Sequence, residues 1–381
     1  MFRKIIDLTT IIIFITAISL PLIFSDKKGG KPSEIEKRTL APFPTIITEE
    51  GFIAPNINHG LRNWINDNAG FRIESKNISA YLEIRLFNMS QGRAVHIGKN
   101  GWYFYGGSHN IDIGKGDYFF STVKLEKTLT NMERIYDFIT NQGIAMVFVL
   151  VPSKASIYPE YIKGGDFVVQ KTLIDQCTEY FSANSEMPII NLKDTLVDAK
   201  EVTPVYFRTD THWNHEGEYV SYVKLIHELN QLGLIQSNVI AVTRKPSKRL
   251  GDLSAMMGLT TNAFAEPFSA IEIVSPQATM IESGEHYDQI VKTLGGNPKK
   301  AGYIYFENNN TEKKNALVLT DSFFMVGNMT RLLAEHVSSL DRMNLNAATP
   351  EIIAAIDPDF IILEITERSI YRLSNPDYLS P

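Results

Sequence analysis

The sequence predicts an α/β protein in three layers, a parallel sheet with helices on both faces, preceded by one apolar N-terminal helix. Ile144 to Val151 is an unbroken apolar run, the pattern of a strand buried on both sides. Strand-like and helix-like segments alternate after it, and that order favours parallel pairing through crossover helices. Phe360 to Ile365 reads as the last strand, near the C-terminus.

Taken in chain order, Leu8 to Phe24 is an uncharged, mostly apolar run preceded by Arg3 and Lys4 and ended by Ser25-Asp26-Lys27-Lys28. Its seventeen residues sit at the short end for a bilayer span. A cleaved signal peptide is the rival reading. Bulky Pro21-Leu22-Ile23-Phe24 offers no small-x-small cleavage site, which favours an uncleaved anchor over residues 1–24. A tether is expected over residues 25–50, where Ser25 to Pro44 is rich in Lys, Gly and Pro, and a catalytic domain over 51–381.

Residues 51–90 read as mainly helical, and Ala94 to Tyr105 as a hairpin turning at Asn100-Gly101, residues that accept the positive φ of a tight turn. A helix follows from Ser121 to Asn141, with Gly143 past its end. Beyond the Ile144–Val151 strand come a helix over 168–183, a strand from Pro188 to Leu192, a third strand at Val205-Tyr206-Phe207, and a helix from Asn214 to Leu232. Residues 240–310 lose the alternation and read as an insertion with added strands such as Tyr303 to Phe306. The pattern resumes with strand 316–320, helix 322–335, a short helix after the Thr349-Pro350 cap, and the last strand.

Composition narrows the function. Hydrophobic residues make up 44% and charged residues 21% of 381, ordinary for a globular chain, and the net charge of −6 argues against nucleic-acid binding. The one cysteine, Cys177, excludes an intrachain disulfide and fits a buried thiol on a helix. Neither a P-loop nor a Gly-x-Gly-x-x-Gly fingerprint follows any expected strand, so no nucleotide cofactor is expected.

The chemistry-bearing stretch is Asp210-Thr211-His212-Trp213. On an extended backbone, Asp210 and His212 point to the same side. The carboxylate can then bond Nδ1–H of the imidazole and leave Nε2 free as a base. Asn315 to Thr320 reads as a buried strand running into Asp321-Ser322, and a serine at a strand-to-helix turn suits acyl transfer. Asp210, His212 and Ser322 are therefore the expected catalytic residues. His215 opens a metal alternative with Asp210 and His212, although no cysteine or histidine cluster completes such a site, so none is assigned. Lys154, Tyr158, Trp213 and Arg368 are candidate substrate contacts. Lys154 and Arg368 follow expected strands, where ligands collect in open α/β sheets, and Trp213 offers a flat apolar face.

Thr209-Asp210-Thr211-His212-Trp213-Asn214, with Thr320-Asp321-Ser322-Phe323 downstream, resembles the SGNH-hydrolase-like domain of the AlgJ/AlgX group of extracytoplasmic polysaccharide O-acetyltransferases. Glu36 to Pro44, Asn68 to Arg72, Gly98 to Phe104, Val151 to Lys154, Ile157 to Glu160 and Glu367-Arg368 extend the resemblance from about residue 35 to the C-terminus. Ordinary SGNH enzymes carry Gly-Asp-Ser ahead of the Asp/His block. Here Thr320 replaces the glycine and the order is reversed, as in a circularly permuted, flavodoxin-like SGNH domain. The resemblance implies O-acetylation of a secreted, alginate-type polysaccharide acceptor, with acetyl groups supplied by a multi-pass membrane acyltransferase. It also implies an inner-membrane anchor with the catalytic domain in the periplasm or cell exterior. An acetyl-esterase with the same triad and a non-catalytic glycan-binding export subunit are the rival functions.

Overall fold

The computed structural model describes residues 2–33, 38–87, 94–164, 171–308 and 314–376, and divides into two compact units. One comprises residues 1–91 and 257–264, the other 92–256 and 265–381.

In the first unit, the helix Phe2–Ile23 contains a stretch, Ile5–Ile23, long and apolar enough to cross a membrane. The large apolar side chains from Ile5 to Ile23 are exposed, as a membrane-facing helix requires. Helices Ile57–Asn68 and Arg72–Leu82 follow, as the helical reading of 51–90 expected. Trp64 is buried with its ring edge-on to Phe43 at 4.9 Å. Residues 257–264 join through Asn77, whose amide oxygen accepts from the Thr260 N–H at 2.6 Å.

The second unit is built on a seven-stranded sheet. In chain order its strands are β1 (Ala145–Val151), β2 (Ile189–Asn191), β3 (Thr279–Ile281), β4 (Ile304–Glu307), β5 (Asn315–Thr320), β6 (Ser339–Asn344) and β7 (Phe360–Thr366). Across the sheet the order is β2-β1-β7-β5-β6-β4-β3. The first five run parallel, and β4 and β3 add an antiparallel edge. The sheet is thus mixed, and the antiparallel pair comes from the 240–310 insertion.

Side-chain alternation sets the two faces. Val147, Val149 and Val151 of β1, with Ala316 and Val318 of β5, pack against α3 (His215–Gln231) through Tyr222, Leu225, Ile226 and Leu229. Met146, Phe148 and Leu150, with Leu317 and Leu319, point the other way. They meet α1 (Thr122–Thr140) and α2 (Leu173–Asn184), the latter burying Cys177 as expected. Two apolar faces on one strand explain why β1 reads as a continuous hydrophobic run, and β7 does so up to Glu364.

Helix starts follow local chemistry. Ser121 caps α1 by accepting from the Lys124 N–H, and Asn214 caps α3 by accepting from the Glu216 and Gly217 N–H groups. Three expectations differ. Val205 to Phe207 forms no strand; Tyr206 makes only an isolated bridge with Trp213. The helix expected over 322–335 breaks into Ser322–Met325 and Met329–Ala334, because Gly327 takes φ +100° between them. Strand β6 was not expected: Ser-Leu-Asp-Arg-Met-Asn lacks the apolar run of its neighbours, and two of its charged members find partners on other elements, although Arg342 Nε is left buried without one. Asp341 accepts from the Tyr303 hydroxyl at 2.7 Å and pairs with His286, while Arg342 donates to the Gly302 carbonyl at 2.6 Å.

The core makes a direct prediction. Phe148 is fully buried in β1, so Phe148→Ala should cost about 3–5 kcal/mol of unfolding free energy in chemical denaturation. A loss under about 1 kcal/mol would contradict a tightly packed helix layer on that face.

Candidate active site

The parallel strands deliver their carboxyl ends to one edge of the sheet, and the candidate side chains gather there. β5 ends at Thr320, and Asp321 then caps the short helix Ser322–Met325 by accepting from the Phe323 N–H at 3.0 Å. The second oxygen of Asp321 accepts from the Thr366 N–H at 3.0 Å and from the Thr366 hydroxyl, tying the turn to β7. Beneath it, Glu364 accepts from the Asp321 N–H at 3.1 Å and from the Thr320 hydroxyl. Burial, then the nearby Asp321 carboxyl, pushes Glu364 well above the ordinary carboxylate range. The turn that presents Ser322 is thus fixed by its own Asp321 cap and by Glu364 and Thr366 of β7.

Ser322 Oγ lies 2.8 Å from His212 Nε2, and His212 Nδ1 lies 2.7 Å from Asp210 Oδ1. With the carboxylate at Nδ1, the proton belongs on Nδ1, and Nε2 is left to accept from the serine hydroxyl. The structure therefore brings Asp210, His212 and Ser322 into one hydrogen-bonded line. Asp210 is fully buried and accepts three further hydrogen bonds: from the His212 N–H at 3.0 Å, Arg249 Nε at 3.1 Å and the Asp252 N–H at 3.1 Å. Burial opposes its ionisation, but the His212 hydrogen bonds and the Arg249 charge outweigh it and hold the carboxyl well below its usual range.

The 207–211 loop is held by groups remote in sequence. Lys154 Nζ donates to the carbonyls of Phe207 (3.1 Å), Arg208 (3.1 Å) and Asp210 (2.6 Å). On the other side, Glu266 accepts from the Arg208 and Thr209 N–H groups at 2.9 Å each, and Asp252 accepts from the Thr211 N–H at 2.7 Å. Arg249 and Glu266 end the two strands of an antiparallel ribbon, Val242–Arg249 with Glu266–Ile273, inside the insertion. Arg249, Asp252 and Glu266 were not singled out in the sequence, because they stand in a region without periodicity and their partners are backbone atoms.

The expected substrate contacts fare differently. Lys154, Tyr158 and Trp213 are buried rather than facing the site opening. Burial pulls the Lys154 ammonium down to about 7, against the opposing pull of Asp210, Asp252 and Glu266. The Tyr158 hydroxyl accepts from the Val205 N–H at 2.9 Å. Trp213 packs against Phe323 and Phe324 at 5.1 and 6.0 Å. These three shape the loop and the serine turn from inside. Arg368 is only partly buried, with its guanidinium 5.5 Å from the Phe323 ring centre. Glu367 does not pair with it at the surface; it is buried and accepts from Ser153 N–H, Ser156 Oγ and Ile174 N–H.

His215 does not join the cluster, since its Nδ1 accepts from the Ile271 N–H at 3.0 Å. Among the described residues the groups that could share a cation are Asp210, His212 and Asp252, whose ligand atoms lie within 4.8 Å of one another. The Nδ1–H bond to Asp210 occupies the same nitrogen, and the adjacent Arg249 charge opposes a further cation.

A mixed, mostly parallel three-layer sheet with serine, histidine and aspartate at its carboxyl edge defines an SGNH-type α/β protein. Residues 95–300 match the family described as "SGNH hydrolase-like domain, acetyltransferase AlgX", and the chain belongs to that family. The match includes Asp210 and His212 and ends before Ser322. The chain is 27% identical over 190 residues to the probable alginate O-acetylase AlgJ of Pseudomonas aeruginosa, covering 48% of this chain and 46% of that protein. It is 28% identical over 156 residues to the AlgJ of Pseudomonas syringae pv. tomato, covering 39% and 36%. The chain spans less than half the length of these curated relatives. Its fold is similar to that of Bacillus cereus PatB1, with a TM-score of 0.51 and 17% identity over 66% of this chain and 91% of that one.

A buried carboxyl next to the site gives a pH prediction. Glu218 of α3 accepts from the Asn328 and Met329 N–H groups at 2.6 Å each, and so braces the segment after the serine helix. Burial nonetheless pushes it up to about 8 from an ordinary 4.5. Between those values the folded state holds a proton the unfolded state has lost, so stability is complete at low pH and declines as pH rises toward 8. Relative to Glu218→Gln, the parent protein should lose about 1 kcal/mol per pH unit across that window. Parallel unfolding curves of parent and variant from pH 5 to pH 8 would contradict the shift.

Proposed function

We propose that this chain is an O-acetyltransferase acting on a polysaccharide outside the cytoplasm, with Ser322 as nucleophile, His212 as general base and acid, and Asp210 as the group orienting His212. The observation that carries the reading is the line Ser322 Oγ–His212 Nε2–Asp210, with spacings of 2.8 and 2.7 Å, in a chain of an acetyltransferase family.

In the first half-reaction His212 Nε2 takes the Ser322 proton as Oγ bonds the acetyl carbonyl carbon. The resulting oxyanion would be met by the Ser322 N–H at the start of the short helix. Collapse breaks the bond to the donor's leaving group, which receives the proton from His212. In the second half-reaction a sugar hydroxyl gives its proton to His212 and attacks the acetyl-serine. The Ser322 Oγ–carbonyl bond breaks, Ser322 regains its proton, and the acetyl ester ends on the sugar. Alginate, named for the AlgJ relatives, is the model for the acceptor. The apolar helix Ile5–Ile23 would anchor the chain in the inner membrane beside a multi-pass acyltransferase that delivers acetyl groups across the bilayer. Such tethering raises the local concentration of donor and catalyst.

Ser322→Ala, His212→Ala and Asp210→Ala should each lower cleavage of a small activated acetyl ester by about three orders of magnitude or more. Near-parent turnover by Ser322→Ala ends the triad assignment. In cells, deletion and Ser322→Ala should both remove acetyl esters from the secreted polysaccharide while polymer is still made. A rise in acetylation would assign an esterase, and unchanged acetylation with lost export would assign a scaffold.

A further inference from the structure

The apolar N-terminal helix is locked to the two helices that follow it in the first unit. Just past its end, the Asp26 N–H donates to the Asn68 carbonyl at 3.0 Å, and Trp64 Nε1 donates to the Asp26 carbonyl at 3.1 Å. The Gly70 N–H donates at 2.7 Å to the carbonyl of Pro21, a residue of the apolar helix itself. Only glycine fits there, because a Cβ would lie 2.6 Å from that of Phe24. Phe71 follows, its ring edge-on to Phe24 at 5.3 Å, and the helix Arg72–Leu82 begins. This helix therefore starts at the level where the apolar span ends.

Its inner face is packed within the unit: Asn77 and Ala80 are buried, and Asn77 holds Thr260 on that side. In a helix that meets only water on its outer face, that face is polar. Here Ile78 and Leu82 stand on the outer face, and Leu86 continues the four-residue spacing into the segment Glu83–Phe87. The three side chains are 59, 46 and 69% exposed. Phe24 and Phe71, 60 and 49% exposed, form an apolar bridge at the junction with the span. Contiguous exposed apolar surface marks an interaction face, and this one is joined to a helix whose own exposed face calls for lipid. Arg85 falls beside Leu86, and a long basic side chain can leave its stem in apolar surroundings while its charge reaches the headgroups.

We propose that the helix Arg72–Leu82, with its continuation to Phe87, lies in the plane of the membrane surface. Ile78, Leu82 and Leu86 would be immersed about 5–10 Å, at the boundary of headgroups and acyl chains. Lipid is the occupant of this face, and the segment gives the first unit a second membrane contact beside the span. The inference rests on reading Ile5–Ile23 as the membrane anchor.

Full-length chains carrying Phe14→Cys, Ile78→Cys, Leu82→Cys or Leu86→Cys are each labelled with an environment-sensitive dye and placed in phosphatidylcholine nanodiscs. Cys177 is buried, and the parent chain treated alike gives the background. The lipid carries a nitroxide either just below the glycerol or at mid-chain. The shallow nitroxide should quench the labels at Ile78, Leu82 and Leu86 roughly twofold more than the deep one, and at Phe14 the order should reverse. Aqueous iodide should quench the three surface-helix labels at least about twofold less than the dye's free cysteine adduct. With Leu82→Glu and Leu86→Glu added, the label at Ile78 should lose its nitroxide quenching and gain iodide quenching. Iodide quenching equal to that of the free adduct at Ile78, Leu82 and Leu86, with Phe14 still quenched by lipid, overturns the surface helix and leaves the anchor standing. Protection from iodide without nitroxide quenching also overturns it, since protein, such as a second copy, then covers the face. A Phe14 label that neither nitroxide quenches removes the anchor, and the surface helix with it.

Discussion

The Lys154 ammonium, sealed under the 207–210 loop and donating to three backbone carbonyls, is the interaction on which the geometry of the site rests. A buried ammonium without a direct carboxylate partner is costly, and burial accordingly drags its protonation down toward neutrality. The carbonyls that surround it are the compensation, and they can converge only if the chain abandons an extended path. That requirement bends Phe207 to Asp210 into a loop and turns the Asp210 side chain back toward His212. The hairpin Val95–Ile97 with Tyr103–Tyr105 closes the other side, placing the Trp102 and Phe104 rings 5.8 and 5.3 Å from the same ammonium.

The insertion that interrupts the α/β alternation serves both the fold and the site. Its later part supplies β3 and β4, which extend the sheet at one edge. Its earlier part supplies the ribbon whose ends carry Arg249 and Glu266, with Asp252 just beyond. Lys154 takes carbonyls of the loop while Glu266 and Asp252 take its amides, so the loop's backbone polar groups are satisfied without a strand partner. Gly251 is part of this closure: a Cβ there would run into the Thr209 backbone. Arg249 sets a positive charge against the outer oxygen of Asp210, which keeps that carboxyl available as an acceptor for His212.

The serine turn is braced in a comparable way. Glu364 lies beneath Thr320 and Asp321, Asp321 reaches across to Thr366, and Glu218 holds the amides that follow Gly327. Asp321 belongs to the turn, while Glu364, Thr366 and Glu218 come from the neighbouring strand and helix. Thr320 uses the side chain that the ordinary Gly-Asp-Ser turn lacks: its hydroxyl donates to Glu364 of β7.

The sequence by itself determined the features whose causes are local. Two-sided apolarity marked β1, capping chemistry marked the start of the Thr349-Pro350 helix, Asn100-Gly101 marked a hairpin turn, and the Asp210-x-His212 spacing carried one of the two short hydrogen bonds of the site. Tertiary structure alone decided what depends on strand order and remote partners. The Ser322–His212 contact joins residues 110 positions apart: Ser322 follows β5, while His212 sits on a segment outside the sheet that Lys154, just after β1, holds through the Asp210 carbonyl. The strand expected at Val205 to Phe207 shrank to the Tyr206–Trp213 bridge, with the Val205 N–H taken by the Tyr158 hydroxyl and the Phe207 carbonyl by Lys154, neither a sequence neighbour. Strand β6 escaped notice because the partners of Asp341 and Arg342, namely Tyr303, His286 and Gly302, neutralise its polarity only after folding. Local periodicity reports which side chains seek burial; it carries no record of which distant group will meet a buried charge, and in this protein those meetings place the site.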